Sequence, residues 1–552
     1  MDSVLPRPRC HAAAPGGGRT RTAGRRWRLV ALTPAAEPVA RTLLALLAPH
    51  LGERLLPATA TDDALLLTLG LHASGEGVDA PREPIGLDPH GGEKPVDETH
   101  QVVVDDSGVH CRAATPEGLF RAATTAAQLL LTRGEAPEGI GHQRLRDAPR
   151  VAWRGLLVDP ARGYLTPDEL RRLIDLMALY KLNVLHLHLT DNEGWRLQLE
   201  ALPATGTSGD GRTGGREARY TATEYRELQA YAADRFVTLV PEINLPGHCA
   251  ALRSALPHLP PAPAPGGLAD RFPFVPPLDL ADTATRETVA ALLAEVCALT
   301  EGPFVHIGGD EAVGMTADSF HTAVRELRAL ARAAGKRPIG WQETSRAGVE
   351  PEDIAQFWVD VPMMELPETE EELRARPELL AAGHTMAVVG ALRSFFGPTD
   401  HDLRRILDGG GRVLLSPQSH LYLDRRYDSA VVPAEQRADA ARLGFPAYRP
   451  RGVRHVADWD PAAHAVPDDR LAGIEMTLFG ETVTGLDDVA TLLLPRLPVL
   501  ADTAWNATPA PWPDTAGRLP HHAPLWRNLG LPHLASTEVA WGPEAGEGRV
   551  TG

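Results

Sequence analysis

Four cysteines in a chain of 552 residues (Cys10, Cys111, Cys249 and Cys297) are too few and too far apart for a disulfide framework or a metal-binding spacing. Cys10 falls in residues 1–26, which read as a disordered amino-terminal tail, and the other three read as small core residues. Basic charge is in deficit too. Lys and Arg number 55 against 72 Asp and Glu, and the net charge of −17 opposes nucleic acid or anionic membrane as partners. No apolar run approaches the roughly 18 to 20 residues of a membrane span. Residues 1–26 lack the apolar stretch of a secretion signal, and WRLVALTPAAEP after them is broken by Pro and Glu. A cytoplasmic protein is expected.

What is present suits a globular protein: 43% hydrophobic and 23% charged residues, in a chain too long for one ordinary domain. Residues 27–147 read as a small α+β domain. Strands at WRLVALT and DALLLTLGL flank an amphipathic helix at 36–50, QVVVDDSGVHCRAA reads as a hairpin, and PEGLFRAATTAAQLLLT as a helix. This unit carries no concentrated polar constellation and takes a packing role.

From about residue 150 apolar strands alternate with helices. The strands are expected at 153–160, 183–191, 236–244, 302–311, 337–343, 353–360, 411–417 and 471–481, with the clearest helices at 167–181, 223–234, 284–299 and 316–334. Eight such units predict a (β/α)8 TIM barrel over 148–510, followed by a cap and tail over 511–552. TMAVVGA at 385–391 could be a ninth strand. A doubly wound open sheet is the alternative, but no G-x-G-x-x-G follows the first strand. TGTSGDGRTGG at 205–215 follows no strand directly and reads as a flexible loop.

In a barrel the chemistry gathers at the carboxyl ends of the strands. Those ends offer, in order, Asp159 and Arg162; His188 and Asp191; Glu242, Asn244 and His248; Asp310 and Glu311. Trp341, Trp358, Tyr422 with Asp424, and Phe479 with Glu481 complete the rim. Carboxylates, one arginine and large aromatics suit a neutral polyhydroxylated ligand, because aromatic faces pack on sugar C–H groups while carboxylates and Arg bond the hydroxyls. A phosphate site would need more basic residues.

His186 and His188 share one side of their strand and point into the barrel, with Leu185, Leu187 and Leu189 outward. His-x-His is also a metal-ligand pattern of barrel hydrolases. That alternative wants more histidines at later strand ends, and the fifth to seventh offer none. His186 reads best as a hydrogen-bonded core histidine.

FVHIGGDEAVG, at 304–314, carries two glycines and then Asp310 and Glu311 side by side. An acidic solvated loop would look the same. Neighbours with Cα atoms about 3.8 Å apart cannot easily bracket a glycosidic bond as the ordinary two-carboxylate scheme requires. A catalytic pair therefore points to the substrate-assisted exception, in which a 2-acetamido group of the sugar is the nucleophile.

HIGGDEA, preceded by DPARGYL, YKLNVLHLHLTDNEGWR and VPEINLPGH and followed by YLD, resembles glycoside hydrolase family 20, the β-N-acetylhexosaminidases, over roughly residues 27–535. The resemblance implies an exo-acting, retaining enzyme for terminal GlcNAc or GalNAc, with no metal or cofactor. It implies Glu311 as general acid and base, Asp310 on the acetamido nitrogen and Tyr422 on the acetamido oxygen. Arg162, Asp191, Glu481 and Asp424 would serve the sugar hydroxyls or their supporting network. Trp341 and Trp358 would wall the acetamido pocket, with His248 beside the acid. An ionised Asp310 would disfavour ionisation of Glu311. The chain departs from the family pattern at Asn244, where an Asp is usual, which predicts a shifted pH optimum. It departs also at Phe479, where the platform tryptophan is usual, which predicts altered sugar binding. Asn192 and Glu193 vary an Asp-Asp-x pattern with no evident reason.

Overall fold

The computed structural model describes residues 3–13, 17–56, 58, 64–71, 83–133, 139–202, 218–262, 275–360, 365–381 and 383–542. The amino-terminal unit contains β1 (Cys10–Ala13), β2 (Arg19–Thr20), β3 (Trp27–Ala31), β4 (Leu55–Leu56), β5 (Leu65–Leu71), β6 (His100–Asp105), β7 (Gly108–Ala113), β8 (Ile140–Gly141) and β9 (Gln143–Asp147). Seven of these form one sheet in the order β1-β9-β6-β7-β5-β3-β4, while β2 pairs with β8. The helices Glu37–Leu51 and Pro116–Arg133 accompany the sheet, as the sequence pattern predicts.

The expected disordered tail is a correction. Its residues 10–13 form an edge strand antiparallel to β9, and Val4 and Leu5 are buried. The Leu5 N–H donates to Gln128 Oε1 at 2.9 Å, and Arg7 Nε meets the buried Asp502 at 2.7 Å. Composition reads Arg, Gly and Ala as unstructured, but two apolar residues and one buried ion pair are enough to anchor the segment.

The expected (β/α)8 barrel is found. It closes in chain order from β10 (Arg154–Val158) through β11 (Val184–His188), β12 (Thr238–Glu242), β13 (Phe304–His306), β14 (Arg337–Trp341), β15 (Ile354–Phe357) and β16 (Arg412–Leu415) to β17 (Leu471–Leu478), all parallel. TMAVVGA lies in a helix, Met386–Phe396, capped by Thr385, whose hydroxyl accepts the Val388 N–H. The 205–215 loop and the tail from 543 lie outside the described residues. Among the described residues no helix is long and apolar enough to cross a membrane.

Side chains fill the barrel in layers. At the amino ends Val184, Val240, Phe304, Ile339, Ile354, Leu414 and Ala472 form an apolar floor, closed by Leu87 and Trp153. Outward leucines such as Leu185, Leu187 and Leu239 belong to the core shared with the surrounding helices. Above the floor the interior turns polar, with His186, Glu242, His306, Gln356 and Glu475 all buried.

A buried ion network fastens the small domain beneath the barrel. Arg154 donates to Glu98 at 3.0 and 2.7 Å and to three backbone carbonyls, and its guanidinium stacks over Trp505 at 4.8 Å. Arg121 meets the same Glu98 at 2.7 Å. Removing one partner of such a buried pair leaves an uncompensated charge. Arg154→Met is therefore expected to lower stability by about 3–5 kcal/mol in urea unfolding at neutral pH. A loss below about 1 kcal/mol would show that the network is not what holds the two units together.

Candidate active site

Each βα junction contributes at least one side chain to a single basin at the carboxyl end of the barrel. Arg162, after β10, is the connector of its polar half. It meets Asp191 at 2.7 Å, Asp159 at 2.8 Å, Glu193 at 3.4 Å and Glu481 at 4.0 Å, and lies 5.6 Å from the Phe479 ring centre. Glu193 thus acquires a place in the network, and the Asn192 side chain accepts the Ala250 N–H at 3.2 Å.

Asp191 is shared by three cationic partners: Arg162, His188 Nε2 at 2.8 Å and His248 Nδ1 at 3.1 Å. Burial works against its charge, yet Arg162 and His248 hold its carboxyl well below the usual range. The other nitrogen of His248 faces the acidic pair, 3.5 Å from Asp310 and 3.4 Å from Glu311. Burial opposes a proton on His248, but Asp191 and Asp310 outweigh it and raise the imidazole well above its ordinary value.

The acidic pair does not sit on the strand itself, which ends at His306. Gly308 and Gly309 turn the chain in left-handed conformations, with φ of 72° and 96°. A Cβ on Gly308 would come within 2.0 Å of Asn244 Oδ1, and one on Gly309 within 2.3 Å of Thr344 Cγ2. His248 and Glu311 also have positive φ, 47° and 43°, uncommon in non-glycine residues and typical of functional loops. Burial pushes Asp310 up to about 6, with Glu242 and Glu311 adding to the effect and His248 opposing it. Asn244 also opposes it, donating its amide N–H to Asp310 Oδ1 at 2.8 Å.

The apolar half is an aromatic box. Trp358 stacks on Tyr422 (6.1 Å, 16°), Trp341 crosses Trp358 at 72°, and Phe479 packs on Tyr422 (5.4 Å), Trp341 (6.3 Å) and the edge of His188 (5.7 Å). Tyr422 is placed by a backbone pairing with Thr477, and the Leu423 N–H donates to the Thr477 carbonyl at 2.7 Å. Asp424 is buried, and burial together with Glu481 raises its carboxyl well above the usual range.

All eleven residues singled out from the sequence (Glu311, Asp310, Tyr422, Arg162, Asp191, His248, Trp341, Trp358, Asp424, Phe479 and Glu481) lie in this one basin or in the charge network beneath it. Sequence reasoning missed Glu343, Phe396 and Tyr448. Glu343 is the last residue of the stretch expected as the fifth strand, 337–343, whose chemistry is read only at Trp341, where the observed strand ends. Tyr448 and Phe396 come from long insertions that fold back onto Tyr422 (6.0 Å) and Trp358 (6.1 Å), and no local signal marks them.

Among the described residues two groups could hold a metal ion by proximity, with ligand atoms within 4.8 Å: His186, Glu242 and His306, and His248, Asp310 and Glu311. The first lies within the polar interior layer. Burial opposes a charge on His186, but Glu475 at 2.8 Å and Glu242 at 3.2 Å raise it to about 9, as suits a core ion pair.

A carboxyl whose proton affinity is raised by burial costs stability when it ionises in the folded state. Asp310 ionises near 4 in an unfolded chain and near 6 here, so its contribution is full at low pH and lost as pH rises through that window. Asp310→Asn is expected to be more stable than wild type at pH 7, by on the order of 2 kcal/mol, and equal to it near pH 4. Urea midpoints across that range are the check, and a variant less stable at pH 7 would refute the assignment.

The catalytic-domain model of glycosyl hydrolase family 20 matches residues 151–322 and 378–508. A β-N-acetylhexosaminidase of Cellulomonas fimi is 34% identical over 472 residues, covering 82% of this chain and 83% of its own. Among solved structures, the N-acetyl-β-hexosaminidase of Streptomyces plicatus in complex with Thio-NAglucal superposes with a TM-score of 0.73 at 26% identity, covering 98% of each chain. The family 20 β-N-acetylhexosaminidase of Streptomyces coelicolor A3(2) gives a TM-score of 0.72 at 27% identity, covering 98% of this chain and 99% of its own. With a barrel of this topology and an acidic pair at this position, the chain belongs to glycosyl hydrolase family 20, the β-N-acetylhexosaminidase family of glycoside hydrolases.

Proposed function

We propose that the chain releases terminal, non-reducing β-linked GlcNAc or GalNAc by a retaining, substrate-assisted mechanism. The observation that carries this reading is that Asp310 and Glu311 approach one and the same imidazole nitrogen of His248, at 3.5 and 3.4 Å. Two carboxyls on one side of a site cannot act as acid and nucleophile on opposite faces of a sugar. The nucleophile must then come from the substrate, and the aromatic box beside Asp310 is of the right character for an acetamido group.

In the first step Glu311 gives its proton to the leaving oxygen while the acetamido oxygen attacks C1, forming a bicyclic oxazolinium. Asp310 accepts the acetamido N–H and balances the developing positive charge, and Tyr422 donates to the acetamido oxygen. In the second step Glu311 takes a proton from water, which opens the oxazolinium at C1 and restores the original configuration. Arg162, Asp424 and Glu481 close the far end around the sugar hydroxyls, which supports exo action. The favoured partner is an N-acetylhexosamine-terminated oligosaccharide or glycoconjugate.

The test is hydrolysis of p-nitrophenyl β-N-acetylglucosaminide beside the plain β-glucoside, with and without EDTA. Wild type is expected to cleave only the acetamido sugar, without regard to EDTA, and Glu311→Gln to lose at least about 100-fold in kcat/KM. Cleavage of both sugars alike would refute substrate assistance, and loss with EDTA would turn attention to the metal alternative.

Phe479 offers a smaller face than tryptophan and no N–H donor. Phe479→Trp is expected to change KM for N-acetylated substrates by several-fold with kcat less affected. An unchanged KM would mean that the sugar does not rest on this ring.

A further inference from the structure

Behind the aromatic box lies a buried carboxyl that the mechanism above leaves idle. Glu343 sits in the short helical turn Gln342–Ala347 that follows β14, and is 3% exposed. Its Oε2 accepts the indole N–H of Trp358 at 3.1 Å, and its Oε1 is buried with no hydrogen-bond partner among the described residues. The same turn holds the backbone of that wall: Gln342 Oε1 accepts the N–H groups of Trp358 and Val359, both at 2.8 Å.

The charges facing Glu343 come from four elements. Arg346, on its own turn, is committed to Asp402 on the helix Asp402–Asp408, at 3.1 and 2.7 Å. Asp310 stands after β13, and the Tyr422 hydroxyl, after β16, feels both Asp310 and Glu343. A bare carboxylate oxygen here would be unpaired and would face a second carboxylate, the costliest arrangement a buried group can have. Burial pushes Glu343 up to about 8, Arg346 opposes this and Asp310 adds to it.

We propose that Glu343 is a positioning residue that works in its neutral form, anchoring the Trp358 wall through the indole N–H while leaving Asp310 the sole negative charge at the acetamido end. This rests on the substrate-assisted reading. Ionisation would set two negative charges side by side and raise the proton affinity of Asp310, the group that must carry the charge at the acetamido end. Gln at this position is uncharged, and its amide oxygen can accept the same indole N–H. Leu keeps bulk and removes the acceptor.

The experiment uses 2,4-dinitrophenyl β-N-acetylglucosaminide, whose leaving group departs without a proton from Glu311, so that the acid's own titration drops out of the alkaline limb. kcat and KM are followed from pH 6 to 9.5 in wild type, Glu343→Gln and Glu343→Leu. Wild type is expected to lose kcat/KM by about tenfold per pH unit above about 8, Glu343→Gln to stay within twofold across that range, and Glu343→Leu to be impaired throughout with a raised KM. The same alkaline limb in wild type and Glu343→Gln would overturn the proposal. Infrared difference spectra of the resting proteins decide it separately. A protonated carboxylic band present in wild type at pH 7, lost near pH 8 and absent from Glu343→Gln, supports it; no such band overturns it. If wild type hydrolyses no acetamido sugar, the substrate-assisted reading fails, and the infrared titration still shows whether Glu343 is neutral.

Discussion

The charge on Glu242 is the constraint from which the active site is built. Its buried carboxylate takes the Trp341 indole N–H at 2.8 Å and His188 Nδ1 at 2.6 Å, with His186 and His306 each at 3.2 Å. Burial opposes that charge, but His188 and His306 hold the carboxyl well below its usual range. Both halves of the basin hang from this point. Through Trp341 it orients the aromatic box. Through His188 it reaches Asp191, which in turn takes Arg162 and His248, and His248 faces the acidic pair. Such a carboxylate stripped of its donors would be too costly to keep ionised.

The site combines this rigid base with loops held in uncommon backbone conformations. Positive φ at His248 and Glu311, and the double-glycine turn before Asp310, bring two loops into close contact. Asn244 stands at that contact. An Asp there would place a third carboxyl beside Asp310, whereas the amide donates to it at 2.8 Å and favours its ionised form. The departure from the family pattern therefore has a physical sense: it offsets part of the burial that raises Asp310. Phe479 is likewise integrated, packed among His188, Trp341, Tyr422 and Arg162 rather than left as a gap.

Much of this was legible from local pattern. The eight barrel strands announce themselves because fully buried parallel strands are short apolar runs between amphipathic helices. The eleven residues that gather at the barrel mouth are legible because the carboxyl ends of barrel strands can be located in sequence. The two departures have different causes. The amino-terminal segment is unstructured by composition and is held by distant partners, Gln128 and Asp502. TMAVVGA, open to a strand reading by its short apolar run, is a helix begun by the local Thr385 cap.

By itself the sequence determined the order of the eight barrel strands, the catalytic family and most of the groups at the barrel mouth, since these depend on residue type and near-neighbour spacing. Only the tertiary structure decided which charges are shared. A register shift between β16 and β17 at Val413 and Leu414 accompanies the placing of Glu475 in the polar interior, where it meets His186. His186 and Glu475 are 289 residues apart, and Glu242 and Trp341 are 99 apart. The raised proton affinities of Asp310 and Glu343 follow from burial and from neighbours on other elements. Spacing along the chain carries no information about either, because electrostatic energy depends on distance and dielectric in three dimensions.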